Sequence, residues 1–334
     1  MQDDVSEVAT SLLFEIEREW TPGPAWTALF QRFWPSYRKW YLSEGDMARP
    51  TYAECRNAIR QYMPQLESTW SNLCELAGGG DIASRFLSLY RPPPYLAGCS
   101  QAISLQGGPA LVRNYDYSPE LTDGLCLATC MNGTKVIAST DCLWGVLDGI
   151  NEHGVAIALS FGGSRVVGSG FGAPIIVRAA LETAHSTHEA IEIIRSIPSH
   201  MAYNISIVDA EADYATVYLA PGKPSVVDRV RAVTNHQHEI EWPRYAEMTE
   251  SVERRRVLQQ LIDSGDSLDE LVGRFMTPPL YRTDHARGFG TLYTSVYLPR
   301  TLQVRFAWPH KAVTFGFDDI KSCALDITYP PGVA

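Results

Sequence analysis

The chain has 334 residues, enough for one large domain or two medium ones, each with a real core. A formal net charge of −10, with no basic run beyond Arg254-Arg255-Arg256, argues against nucleic acid, whose phosphates would be repelled. Seven scattered cysteines, with no CxxC pair, fit reduced thiols in a cytoplasmic protein and offer no metal-ligand spacing.

No apolar run is long enough to span a bilayer. The acidic start Met1-Gln2-Asp3-Asp4 lacks the basic and apolar regions of a secretory signal. Apolar residues at helical spacing (Val5, Val8, Leu12, Leu13, Ile16) predict a helix over 5–20. A second follows over 25–42, with Pro35 expected to kink or divide it, and a third from a Thr51 cap toward Leu76. After a short helix over 81–90, Arg91-Pro92-Pro93-Pro94 reads as a stiff extended connector. Five of the eight tryptophans lie in this leader, so it must pack on something.

From Cys99 onward the chain reads as strands. One hairpin turns at Gly107-Gly108-Pro109 and another at Asn132-Gly133, with a tight turn at Asn151-Glu152-His153-Gly154. Helices are expected over 174–184 and 187–197, strands over 203–209, 214–220 and 225–234, helices over 244–263 and 267–275, and a last strand pair over 291–297 and 302–308. Paired helices between runs of strands indicate an α+β layered domain. The expected division is a helical leader, 1–98, and a catalytic domain, 99–334.

Cys99 follows Gly98 where the texture changes. A three-residue hairpin loop would set Cys99 opposite Tyr117, and a two-residue loop opposite Asp116. Directly opposed side chains lie ~4.5–5.5 Å apart. Either register puts Cys99 near the Arg113–Tyr117 segment, and a bulge would bring both Arg113 and Asp116 close. An arginine favours the thiolate of a thiol whose ordinary pKa is about 8.5. An α-amine released at Cys99, with a pKa of about 7.7–8.0, suits a general base. Gly98 tolerates the strained turn that self-cleavage would need. On spacing alone, a buried strand cysteine beside an ordinary Arg113–Asp116 ion pair is the better fit.

Gly98-Cys99, Arg113-Asn114-Tyr115-Asp116-Tyr117, Asn151-Glu152-His153-Gly154-Val155 and Val233-Thr234-Asn235-His236, in that order, resemble the N-terminal-nucleophile hydrolases of the penicillin acyltransferase and choloylglycine hydrolase type, including the acid ceramidase group. The resemblance covers residues 99 to about 310. It implies a four-layer αββα sandwich preceded by a helical leader or propeptide. It implies Cys99 as nucleophile, Arg113 supporting the thiol, Asp116 orienting the new α-amine and Asn235 as oxyanion donor. Tyr117, Phe161 and His236 are expected to line the substrate site, and Asn151 and Asn204 to be structural. Leu159-Ser160-Phe161-Gly162 departs from the polar strand of some members. The second site arginine has no clear match, Arg287 being the nearest guess.

Other signals point elsewhere. Gly168-Ser169-Gly170-Phe171-Gly172-Ala173 has dinucleotide-loop spacing without the βαβ context, and reads as a mobile substrate loop. His185, His188 and Glu189 read as solvated helix surface, as does Arg254-Arg255-Arg256. The expectation is a cofactor-free and metal-free cytoplasmic enzyme, with no membrane partner. It would hydrolyse a non-peptide linear amide, or transfer its acyl group, through a thioester on Cys99 after self-cleavage at Gly98-Cys99. The expected partners are a small-molecule amide or acyl donor, the cleaved leader as a heterodimer with the catalytic chain, and further copies of the chain as a homo-oligomer. The alternative is an unprocessed pseudoenzyme or small-molecule-binding protein on the same scaffold.

Overall fold

A computed structural model describes residues 10–285 and 288–329. The first element is a strand rather than the expected helix. In β1 (Thr10–Arg18), Leu12, Phe14 and Ile16 are buried at alternate positions, while Leu13 is 46% exposed. Val5 and Val8 lie outside the described residues. A short apolar run satisfies both periods, and tertiary pairing chooses between them.

The leader then becomes helical. Helix α1 (Pro24–Tyr41) runs through Pro35 undivided, and Trp26, Phe30 and Trp34 stack along it. The Glu19 carboxylate accepts the N–H groups of Gly23, Ala25 and Trp26, which otherwise lack partners at the helix start. The long helix expected after Thr51 divides at Pro64 into α2 (Tyr52–Tyr62) and α3 (Glu67–Leu76). Thr51 and Glu54 form a reciprocal capping box on α2. Helix α4 (Asp81–Leu87) precedes the proline connector.

Next come β2 (Gly98–Ser104), β3 (Ala110–Tyr117), β4 (Leu125–Thr129), β5 (Val136–Asp141), β6 (Gly145–Asn151) and β7 (Ala156–Phe161). Two helices follow, α5 (Ala173–Leu181) and α6 (Thr187–Ser196). Then β8 (Tyr203–Val208) and β9 (Tyr214–Leu219) pair. The single strand expected over 225–234 is two strands, β10 (Val226–Asp228) and β11 (Ala232–Val233), in different sheets. That crossing carries Asn235 across to the Cys99 strand.

The helical region after β11 breaks at Glu250, whose φ is +50°, into α7 (Pro243–Met248) and α8 (Ser251–Ser264), followed by α9 (Leu268–Phe275). Strands β12 (Gly290–Leu298) and β13 (Gln303–Trp308) are the expected pair. Two further strands, β14 (Lys311–Gly316) and β15 (Cys323–Tyr329), escape the sequence reading because their burial barely alternates.

One sheet has the order β10-β9-β8-β7-β6-β5-β4-β1-β15, and the other β11-β2-β3-β12-β13-β14. They face each other through β2 and β3 against β7 and β8. Helices α5 and α6 cover the first sheet, and α8 and α9 the second. This is the four-layer αββα sandwich. The leader strand β1 sits inside the first sheet, parallel to β4 and antiparallel to β15. Its Phe14 ring packs on Tyr293, Phe306 and Trp308 of the opposite sheet at 4.9–5.6 Å between centroids.

Candidate active site

The β2–β3 hairpin fixes the geometry. Its loop takes five residues, 105–109, so the register differs from both expected ones. Cys99 lies opposite Tyr115, Gln101 opposite Arg113, and Gly98 opposite Asp116. Alternation therefore aims Cys99 and Arg113 between the two sheets, and Asp116 toward the helices. Gly98 is required where it stands: a Cβ there would lie 2.9 Å from the Cβ of Asp116.

Three groups of Cys99 are each held by a buried side chain. Arg113 Nη2 donates to the thiol at 3.2 Å. Asn235 Oδ1 accepts the backbone N–H at 2.9 Å. Arg254 Nη1 donates to the backbone carbonyl at 2.8 Å. All four residues are fully buried. Arg113 is itself fixed by Asp148 at 2.6 Å, by the Leu159 carbonyl and by the Tyr115 ring. Asp148 also accepts from Tyr293, Ser295 and Tyr297, so its charge is fully satisfied. Burial works against the Arg113 charge, but Cys99 and Asp148 keep the guanidinium protonated. Burial also pushes the Cys99 thiol up, outweighing Arg113, so the uncut chain holds a thiol.

The expected solvated run Arg254-Arg255-Arg256 divides by helix face. Arg254 shares the buried face of α8 with Leu258 and Ile262. It pairs with Asp116 at 3.2 Å and donates to Asn235 Oδ1 at 2.8 Å and to Ser100 Oγ at 2.8 Å. Arg256 is solvated beside Glu253. Asp116 accepts in turn from Thr291 at 2.7 Å and meets Cys99 through Arg254. Arg287 lies outside the described residues.

Asn235 Nδ2 donates to the carbonyls of Ala97 at 3.1 Å and Phe161 at 3.3 Å, and the Tyr245 hydroxyl donates to the same Ala97 carbonyl at 2.9 Å. A leader carbonyl thus occupies the donor. The segment after β11 is held by Asn204, whose Nδ2 donates to Thr234 and His236, and by Ser160. Asn151 bridges its own turn to the end of α5 through four hydrogen bonds. The bonds of both asparagines are structural.

Among the expected lining residues, Phe161 packs edge-on against Tyr245 and lies next to Asn235. Tyr117 reaches a cavity between the leader and the loop after β3. His236 turns away into a bond with Ser251 at 2.7 Å, and burial, with Arg255 and Arg254, lowers its pKa to about 4, leaving it neutral. The Gly162–Gly172 stretch is no loose loop. A Cβ on Gly170 would fall 2.4 Å from the Ser199 backbone, and Phe171 bridges Tyr90 and Ser199.

Sequence reading missed Arg254 and Asp148. Arg254 was legible from its spacing with Leu258 and Ile262. Asp148 stood out as the one charge within Gly145–Asn151, an otherwise uncharged strand.

The sequence profile of the acyl-coenzyme A:6-aminopenicillanic acid acyl-transferase family matches residues 104–312. The chain belongs to that family. It is therefore an N-terminal-nucleophile enzyme of the class that hydrolyses linear amides or transfers their acyl groups. The matched region starts on the strand that carries Cys99 and includes Arg113, Asp116, Asn235 and Arg254. No curated protein matches the chain. Among solved structures, penicillin V acylase from Agrobacterium tumefaciens is similar at 11% identity, over 67% of this chain and 87% of that one, with a TM-score of 0.47. Conjugated bile acid hydrolase from Clostridium perfringens aligns at 12% identity, over 71% and 98%, with a TM-score of 0.48. The N-acylethanolamine-hydrolyzing acid amidase ortholog of Caenorhabditis elegans aligns at 16% identity, over 61% and 93%, with a TM-score of 0.43. Among the described residues no helix is long and apolar enough to cross a membrane.

Proposed function

We propose that Cys99 is the nucleophile of a cysteine amidohydrolase or acyltransferase, and that it first cuts its own chain after Gly98. The observation that carries this reading is the triple hold on Cys99, with its thiol on Arg113, its N–H on Asn235 and its carbonyl on Arg254. A structural cysteine has no use for two buried arginines, each of which is costly to desolvate.

In the first step the Cys99 sulfur attacks the Gly98 carbonyl carbon. The Gly98–Cys99 C–N bond breaks, the thiol proton passes to the departing nitrogen, and a Gly98 thioester remains. Water hydrolyses it to the Gly98 carboxylate and restores the thiol. The freed α-amine stays beside Asn235 and Arg254, whose positive charge disfavours the ammonium form. At neutral pH the amine can then take the thiol proton. Departure of the Ala97–Gly98 end frees Asn235 Nδ2 and the Tyr245 hydroxyl to receive the oxyanion of an incoming amide. The acyl group moves to Cys99, the amine leaves, and water or a second amine resolves the thioester.

The leader remains as a partner chain after the cut. β1 is hydrogen-bonded on both sides within the sheet, and Trp26 Nε1 donates to the Leu143 carbonyl at 3.2 Å. The test is acyl-enzyme trapping. Wild-type protein denatured during turnover of an N-acyl-4-nitroanilide should carry the acyl mass on the peptide that begins at Cys99. Cys99→Ala should carry none and turn over none. Normal turnover by Cys99→Ala would overturn the proposal.

A further inference from the structure

Between α1 and the loop after β3 lies a cavity of about 380 Å³. Phe33 and Trp40 from α1, Tyr95 from the connector and Tyr117 from β3 supply four aromatic rings. It is linked to the nucleophile through one residue: Tyr117 stacks on Tyr115 on the same face of β3, and Tyr115 lies opposite Cys99. Tyr95 belongs to the leader segment that ends at Gly98. Among the described residues its buried hydroxyl has no hydrogen-bond partner.

The charges in this cavity are acidic. Glu120, Asp123 and Asp141 line it. Among the described residues Arg32 is the one lining cation; it is paired with Glu15 and lies over the Phe33 ring at 4.5 Å. Asp123 is only 4% exposed. The Tyr37 oxygen contacts both Asp123 Oδ1 and Asp141 Oδ1 while accepting the Cys142 N–H at 2.8 Å. A hydroxyl has one proton and can donate to one carboxylate only. The contact to the other needs a proton on that carboxyl group, so the pair shares one proton. Burial and the Asp141 charge agree, raising Asp123 to about 8.

Aromatic faces combined with carboxylates recognise organic cations, because ring quadrupoles and anions attract the same charge. A cavity for an uncharged acyl chain would not bury carboxylates, whose desolvation is costly. We propose that this cavity binds an ammonium group on the substrate, so that the enzyme acts on amides carrying a positively charged amine in one of their two halves. The proposal rests on the Cys99 reaction for its chemistry, but the binding site stands without it. Entry of the cation replaces the shared proton, which leaves to solvent.

The test is calorimetric titration of the Cys99→Ala protein with benzyltrimethylammonium, benzyl alcohol and phenylacetate. The cation should bind at least tenfold more tightly than the alcohol, and phenylacetate more weakly still. Asp141→Asn and Trp40→Leu, on β5 and α1, should each weaken cation binding about tenfold; two variants guard against one failing to fold. Alcohol binding within threefold of the cation, absence of cation binding, or cation binding unchanged in both folded variants would overturn the proposal. Because the Cys99→Ala protein needs no turnover, cation binding without any acyl-enzyme in the wild type would count against the nucleophile alone.

Discussion

The side-chain oxygen of Asn235 accepts the backbone N–H of Cys99 at 2.9 Å, joining residues 136 apart in the chain. The same side chain, through Nδ2, holds the Ala97 carbonyl. It therefore straddles the Gly98–Cys99 bond, a carbonyl held on one side and an amide nitrogen on the other. Asn235→Ala should lower kcat for an N-acyl-4-nitroanilide about 10²–10³-fold, the usual loss when an oxyanion donor is removed. Steady-state kinetics on the purified variant check this. A kcat within threefold of wild type would remove Asn235 from the machinery.

Arg254 and Arg256 separate a buried charge from a solvated one. Arg254→Ala leaves Asp116 buried without its partner and should destabilise by about 3–5 kcal/mol. Arg256→Ala removes an exposed pair with Glu253 and should fall within about 0.5 kcal/mol of wild type. Urea denaturation of the two variants gives the comparison directly.

Gly98 faces Asp116 too closely for any side chain. Gly98→Ala should strain this end of β2, costing about 1–3 kcal/mol, and should slow the cut. A gel time course after expression reads the rate. Processing at the wild-type rate would contradict the placement of Asp116 beneath the scissile bond.

Phe14 ties the leader to the opposite sheet through three aromatic contacts. Phe14→Ala should cost about 3–5 kcal/mol. If the leader is retained by this packing after cleavage, the variant should also lose it from the complex in native mass spectra, where the wild type keeps both chains.

The carboxyl pair sets a pH dependence whose sign follows from linkage. Asp123, ordinarily near 3.9, is raised to about 8 in the fold. Between those values the unfolded chain has given up a proton that the folded chain keeps, so stability falls as pH rises through that window. Asp123→Asn mimics the protonated acid. It should be more stable than wild type at pH 8 by at least ~1 kcal/mol, with the gap closing at pH 4. Thermal melts at the two pH values decide it.

Much of the site was legible because its chemistry sits in short motifs. Cys99, Arg113, Asp116 and Asn235 stand in those motifs, and the fold brings them together around the Gly98–Cys99 bond. The register was not legible, since Gly107-Gly108-Pro109 marks the turn but not that Leu105 and Gln106 also leave the ladder. β1 read as a helix because its partners, β4 and β15, lie far along the chain. Arg254 was hidden by its neighbours, as a run of three arginines suggests a solvated face. One helical turn further, Leu258 marks position 254 as buried.

The most direct measurement is the intact mass of the purified wild-type protein under denaturing conditions, beside that of Cys99→Ala. The account predicts two wild-type chains, one beginning at Cys99, with masses summing to the 37.1 kDa polypeptide plus one water, and a single uncut chain for the variant. An active wild-type protein that remains one chain of 37.1 kDa would contradict it.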